Sequence, residues 1–255
     1  FLESYKWRLL LIGTEKIHWS KAFLSVLTGL SVAIFTPNRV GEYIGRIWVL
    51  RVRNRPSGVA ITIVGSLAQS SITFFVGVIC GWLFYSRVSD FNYIDYHNLI
   101  VASFAVIIGV VIVLFLPRLT SKLLRFRMNR YLRSAFDGLS RLSLVSMTQA
   151  LAISLLRYAV FSTQFVLLLQ YFDTGLLFSE SVMGIGLLYG SMLLIPTIAV
   201  AEPGIRGSLS LLIFGVFSTN SAGILAASLT LWIVNLALPA LTGALYLSVF
   251  KVDKT

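Results

Sequence analysis

Apolar residues run in long blocks along this chain, separated by short clusters of charge. The runs Pro56–Tyr85, Leu99–Leu116, Leu144–Phe172 and Ile224–Phe250 approach or exceed the roughly 20 residues a helix needs to cross a hydrocarbon core. A shorter run, Ala22–Thr36, stops at Pro37, and a further pair, Val182–Val200 and Leu209–Phe217, is split by the polar insert Ala201–Gly207. Ala22–Thr36 and Leu209–Phe217 are too brief to span comfortably. They are predicted to be half-helices or re-entrant segments, which membranes tolerate where they are buried in protein or line a cavity. The pattern therefore predicts an all-α fold: a polytopic helical membrane protein with two broken or re-entrant helical elements, open to an inverted-repeat arrangement. Residues 1–255 read as a single multi-pass transmembrane domain.

Composition sharpens this picture. Of the 255 residues, 57% are hydrophobic and 12% charged, against about a quarter charged in an average soluble domain. Mean hydropathy is +0.86, and a soluble globule with so small a polar coat would expose large apolar patches. The 21 Lys and Arg outnumber the 10 Asp and Glu. That excess argues for a cytoplasmic loop bias rather than for nucleic acid, because the long uncharged runs leave little room for an exposed basic face. Chemistry has little material. The single Cys80 sits in an apolar run, His18 and His97 lie far apart, and no metal, cofactor or nucleophile–base pair is expected.

Loop charge sets the expected orientation. Residues 38–55 carry Arg39, Arg46, Arg51, Arg53 and Arg55 against Glu42, and residues 118–141 carry seven cations, from Arg118 to Arg141, against Asp137. Both loops are expected on the cytoplasmic side of an inner membrane, with Lys251 and Lys254 placing the C-terminus there too. The segments Arg87–Asn98 and Asp173–Glu180 are expected outside, and Val182–Phe217 is then expected to enter and leave on the outer face as one hairpin. Trp48, Trp82 with Tyr85, Tyr93 with Tyr96, and Tyr171 with Phe172 fall near span ends, as interfacial aromatics do. The basic stretch 118–141, with apolar residues such as Leu119, Leu132, Phe136 and Leu139, suits an amphipathic helix on the anionic inner leaflet, although ordinary positive-inside bias is the simpler account of it.

Charge within the apolar runs is costly and so marks candidate function. Arg157 lies mid-run with Gln149 and Gln164 on nearly the same helical face. It must meet either a buried acid, such as Glu202, or a wet cavity that receives an anionic headgroup. A second cluster, Thr36–Arg46, combines Pro37, Arg39, Gly41, Glu42 and Arg46. Glu42 and Arg46 have the Glu-first spacing of a helical ion pair, and a helix starting near Asn38 would present free N–H groups to an anion. The third is the insert itself, with Glu202, Pro203, Gly204 and Arg206; Asn235 is a lesser candidate. Two broken hydrophobic segments with similar chemistry are the sequence signature of an inverted-repeat transporter, whose substrate site lies where the breaks meet.

At these residues the chain resembles the transmembrane region of the lysylphosphatidylglycerol synthase family, the flippase-like domain proteins. Tyr5-Lys6-Trp7-Arg8-Leu9-Leu10 is similar to the family's basic–Trp–Arg–Leu–Leu segment. Pro37-Asn38-Arg39-Val40-Gly41-Glu42, with Arg46, is similar to its Pro-Gly-Arg-x-Gly-Glu element, and Pro196–Gly207 to its later proline- and glycine-rich element. This chain departs from the latter in that Glu202 precedes the glycine. The resemblance implies a further membrane helix upstream of Phe1. It carries no aminoacyl-transfer activity, because the family's soluble transferase domain is not in this sequence. It implies translocation, between leaflets, of an anionic or aminoacylated/polyprenyl-type lipid. The site residues would be Arg39, Gly41, Glu42, Arg46, Arg157, Glu202, Gly204 and Arg206. Arg157 and Arg39 would receive phosphate, while Glu42 and Glu202 would pair with arginines or with a cationic headgroup. The rival expectation is a non-transporting membrane subunit that recruits a lipid-modifying or glycosyl-transferring enzyme through its basic loop. Membrane lipid is the expected partner in the first case.

Overall fold

A computed structural model describes residues 1–37 and 39–249, except 89–107, 110, 112, 113, 117 and 121–128. The predicted span Leu99–Leu116 therefore lies mostly outside the described residues, as do the outer segment Arg87–Asn98 beyond Val88, most of the basic stretch 118–129, and the C-terminal Lys251 and Lys254. The fold is all-α, as the pattern predicts.

The main helices are α1 (Leu2–Leu11), α2 (Trp19–Ala33), α3 (Gly41–Arg46), α4 (Arg55–Val88), α5 (Arg130–Ser140), α6 (Leu144–Tyr171), α7 (Phe178–Leu194), α8 (Glu202–Phe214), α9 (Ser221–Trp232) and α10 (Leu238–Val249). Among the described residues three continuous helical runs, Val52–Val88, Leu144–Tyr171 and Ser221–Val249, are long and apolar enough to cross a membrane, and the chain is read as a membrane protein on that basis.

Local chemistry explains where these helices start. Pro56 falls in the first turn of α4, where a missing N–H is no loss. The Ser143 hydroxyl accepts the Ser146 N–H at 3.0 Å ahead of α6, and Asn220 accepts the Gly223 N–H at 2.9 Å ahead of α9, each satisfying an orphan donor. The predicted span Ile224–Phe250 is two helices joined by a π-helical turn, Ile233–Ala237. Pro239 has no N–H for the Asn235 carbonyl one turn back, which accounts for the widened turn there.

Both breaks sit differently from their predicted places. The first half-helix is α2, Trp19–Ala33, and the next helix starts at Gly41 rather than near Asn38. In the second element the break covers residues 195–201, and the predicted polar insert Glu202–Gly207 forms the first turns of α8. Pro203 was the misleading residue. Proline breaks a helix interior but is tolerated in the first turn, where its N–H has no intrahelical partner anyway.

Two apolar clusters hold the helices. One gathers Trp7, Leu10, Ile61, Val64, Met147 and Ala150 between α1, α4 and α6. The other gathers Phe165, Leu169, Ile185, Leu188, Phe214 and Ile224 between α6, α7, α8 and α9. Glycines allow two crossings to close to backbone contact. A Cβ on Gly45 would lie 2.6 Å from the Gly29 Cα, and one on Gly77 would lie 2.7 Å from the Gly190 Cα. Such close approach is how apolar helices associate where no hydrophobic drive separates lipid from neighbour.

Of the basic stretch, α5 turns Gly138 and Leu139 inward, and Ser57 of α4 donates to the Ser134 carbonyl at 2.7 Å. Arg130, Tyr131, Leu132 and Arg133 face outward, so α5 is docked on α4 along one side with a mixed basic and apolar outer face.

Candidate functional site

The two breaks meet. Pro37 and Ile198, one from each break, form an isolated antiparallel backbone bridge. Just beyond it, Arg39 reaches across and donates from Nη2 to Glu202 Oε2 at 2.5 Å. Arg206, one turn further along α8, donates to the other carboxylate oxygen at 2.7 Å. Glu202 is 3% exposed, so two cations share one buried carboxylate, an arrangement that burial makes stable only because the partners are charged. The Arg206 guanidinium also stands 5.6 Å over the Tyr189 ring on α7, within cation–π range.

A second charged cluster lies on the α1–α3 side. Glu3 of α1 accepts three cations at once: Lys6 Nζ at 2.9 Å, Arg46 Nη1 at 2.9 Å and Arg157 Nη1 at 3.1 Å. Arg46 also donates to Glu42, one turn earlier on α3. Lys6 and Arg46 are 1% and 2% exposed, whereas Arg157 retains 25% side-chain exposure. Arg157 stacks over Phe161 at 4.9 Å, and its Nη1 also approaches Gln69 Oε1 at 3.5 Å. Gln69 in turn donates to the Ser154 carbonyl at 3.3 Å, which fixes the amide next to Arg157.

Both clusters open onto one cavity of about 640 Å³, a volume within the range of ligand pockets. Five predicted residues line it: Arg39, Glu42, Arg157, Glu202 and Arg206. The other three have different places. Arg46 is sealed behind Glu3 and Glu42. Gly41 packs against α2, where a Cβ would meet the Val32 carbonyl oxygen at 2.6 Å. Gly204 has nothing within 4 Å of a would-be Cβ, and it is not on the cavity wall. Arg157 does find an acid, but that acid is Glu3 rather than Glu202, and Arg157 still faces the cavity. Of its predicted polar stripe, Gln164 accepts from Asn235 Nδ2 at 3.0 Å, with Asn235 on the wall. Gln149 is exposed and takes no part.

Sequence reasoning missed Glu3, Lys6, Gln69 and Tyr189. A signal existed for the first two. Their three-residue spacing puts opposite charges on one helical face, next to the buried Trp7, whose indole donates to Thr62 at 3.0 Å. Gln69 and Tyr189 gave no local signal. Among the described residues no three His, Cys, Asp or Glu side chains gather as a metal site. The cavity also has an apolar side: Leu193, Leu194 and Phe161 are on its wall, and Leu194 is 72% exposed on the outer surface. The arrangement thus offers fixed cations inside and an apolar rim at the surface. No family model, curated protein or solved structure matches this chain.

Proposed function

We propose that this chain moves a lipid with an anionic headgroup between the two leaflets of an inner membrane. One observation carries the reading: a single cavity, placed where two broken helices meet, gathers Arg39, Arg157 and Arg206 and is rimmed by exposed apolar side chains. Polar and charged groups within apolar helices are expensive and mark substrate paths. Sites at the junction of broken helices suit alternating access, since either half can rock about the contact. The headgroup would sit against the guanidinium groups while its chains remain at the rim near Leu193 and Leu194.

The resemblance to the flippase-like domain proteins supports the same reading, with polyprenyl-type lipids within its range. In this reading the loops 38–55 and 118–141 and the C-terminus face the cytoplasm, and the basic outer side of α5 rests on the anionic leaflet. Glu42 and Glu202 are each bonded to arginine, which leaves them poorly placed to receive a cationic headgroup.

The test is headgroup exposure of a labelled anionic lipid in proteoliposomes. Arg157→Ala and Glu42→Ala, at unchanged expression, are each expected to slow translocation by about tenfold or more. Wild-type rates in both variants would remove the cavity from the transport path. Loss of a cellular phenotype on neutralising Arg125, Arg127, Arg130 and Arg133, with translocation intact, would favour an enzyme-recruiting subunit instead.

A further inference from the structure

Charge in the cavity does not balance, and the imbalance is distributed in a definite way. In the first cluster, Lys6, Arg46 and Arg157 face Glu3 and Glu42, three cations against two carboxylates. In the second, Arg39 and Arg206 face Glu202, two against one. Each cluster keeps one positive charge in surplus. The first cluster joins α1, α3 and α6, the second joins the first break to α8 through Arg39, and members of both line the same cavity. The remaining acids among the described residues are committed elsewhere or lie off that wall: Glu15 bonds the Arg51 amide and Asn54, Asp137 bonds Arg141, Glu180 caps α7, and Asp173 is remote from the lining.

Donor capacity is also in surplus. The Nε groups of Arg46 and Arg206 and the Nε1 of Trp232 are buried without a hydrogen-bond partner, and Arg206 and Trp232 are on the cavity wall. A buried charge without a counter-charge is costly, and cations on both sides of one cavity repel each other.

We infer that the cavity selects a lipid headgroup carrying two negative charges, a phosphomonoester or a diphosphate, that bridges the Arg157 cluster and the Arg39–Arg206 cluster. This rests on the translocation reading and narrows it. A phosphomonoester carries about −1.5 to −2 at neutral pH and three acceptor oxygens, enough to meet one surplus cation on each wall. A phosphodiester headgroup with a single charge neutralises one wall and leaves the other. An aminoacylated headgroup adds positive charge to a site already in surplus, so that class is set aside.

The experiment uses the full chain in detergent and reads binding by intrinsic tryptophan fluorescence, to which Trp232 on the cavity wall contributes. The probes are dioctanoyl phosphatidic acid, dioctanoyl phosphatidylglycerol, dioctanoyl phosphatidylcholine and inorganic phosphate. At about pH 7.5 the phosphatidic acid is expected to bind about tenfold or more tighter than the phosphatidylglycerol. At about pH 5, below the monoester's second pKa of about 6, that advantage should vanish, because the ligand has lost its second charge. Arg157→Gln removes one surplus cation and should also abolish the advantage; if this variant does not fold, the pH comparison on the wild-type chain decides. Equal binding of the two lipids at about pH 7.5, or an advantage unchanged at about pH 5, would overturn the inference. Phosphatidylglycerol translocated in proteoliposomes as fast as phosphatidic acid would overturn it while leaving lipid transport standing. Inorganic phosphate binding as tightly as phosphatidic acid, with no lipid translocated, would keep the dianion preference and overturn the transport reading.

Discussion

The two broken elements carry the same charged pair and use it in opposite ways. In α2–α3, Glu42 and Arg46 stand four residues apart, and in α8 Glu202 and Arg206 do the same. In the first pair Glu42 reaches the cavity but its arginine is sealed. Arg46 is 2% exposed and tied to Glu3 as well, Gly45 is in backbone contact with Gly29, and Thr28 donates to the Gly45 carbonyl at 3.0 Å. The second pair faces the cavity, its glycine Gly204 has free space around it, and the arm leading to it ends at the exposed Leu194. The same local motif thus serves as an anchor on one side and as a lining on the other. What separates the two roles is the packing around each helix, which the motif itself does not encode.

The contrast can be broken most sharply at Arg46. Arg46→Ala empties a buried guanidinium site and leaves the part-buried carboxylates of Glu3 and Glu42 short of a partner, and should destabilise the protein by about 3 kcal/mol, read as a lower melting temperature or lost monodisperse yield in detergent. Gly45→Val comes next. Its Cβ would meet the Gly29 Cα at 2.6 Å and the Thr28 carbonyl oxygen at 2.8 Å; backbone cannot yield as a side chain can, so a loss near the upper end of the usual 1–3 kcal/mol overpacking range, about 3, is expected in the same melt.

On the lining side the stability effects should be smaller and the functional ones larger. Arg206→Ala takes one of two cations from Glu202, for about 2 kcal/mol of a charged hydrogen bond, yet it should cut lipid binding more than any anchor variant that still folds. Gly204→Ala should be the mildest change. Ala is the better helix former and nothing obstructs its methyl, so stability should hold or rise by at most about 1 kcal/mol. A Gly204→Ala loss as large as that of Gly45→Val would dissolve the distinction between anchor and lining.

The apolar runs made the long helices readable, because a membrane-crossing helix writes itself as a continuous block. α4, α6 and the joined α9–α10 fall close to their predicted limits. The breaks were readable as breaks, but their edges were not, since Pro203 signals both helix interruption and helix start. Arg157 and Glu202 stood out by their charge in apolar surroundings. Their partners did not: Glu3 lies 154 residues from Arg157, and nothing local to either residue specifies that pairing. Glu3 and Lys6 were passed over because α1 is short and mixed in character. Their burial comes from α4 and α6 folding over that helix.

Arg39 holds φ at 56°, a left-handed conformation that costs a non-glycine residue about 1–2 kcal/mol. Glycine would relax the turn but would lose the guanidinium that reaches Glu202. The joint between the breaks is therefore clasped by a residue under torsion, whose side chain makes the ion pair to Glu202. An event that draws Glu202 or Arg39 toward another charge removes that contact and leaves the left-handed turn without it. Unclasping is then assisted from within the loop, and a competing anion would act on one of several contacts between the two breaks, beside the Pro37–Ile198 bridge.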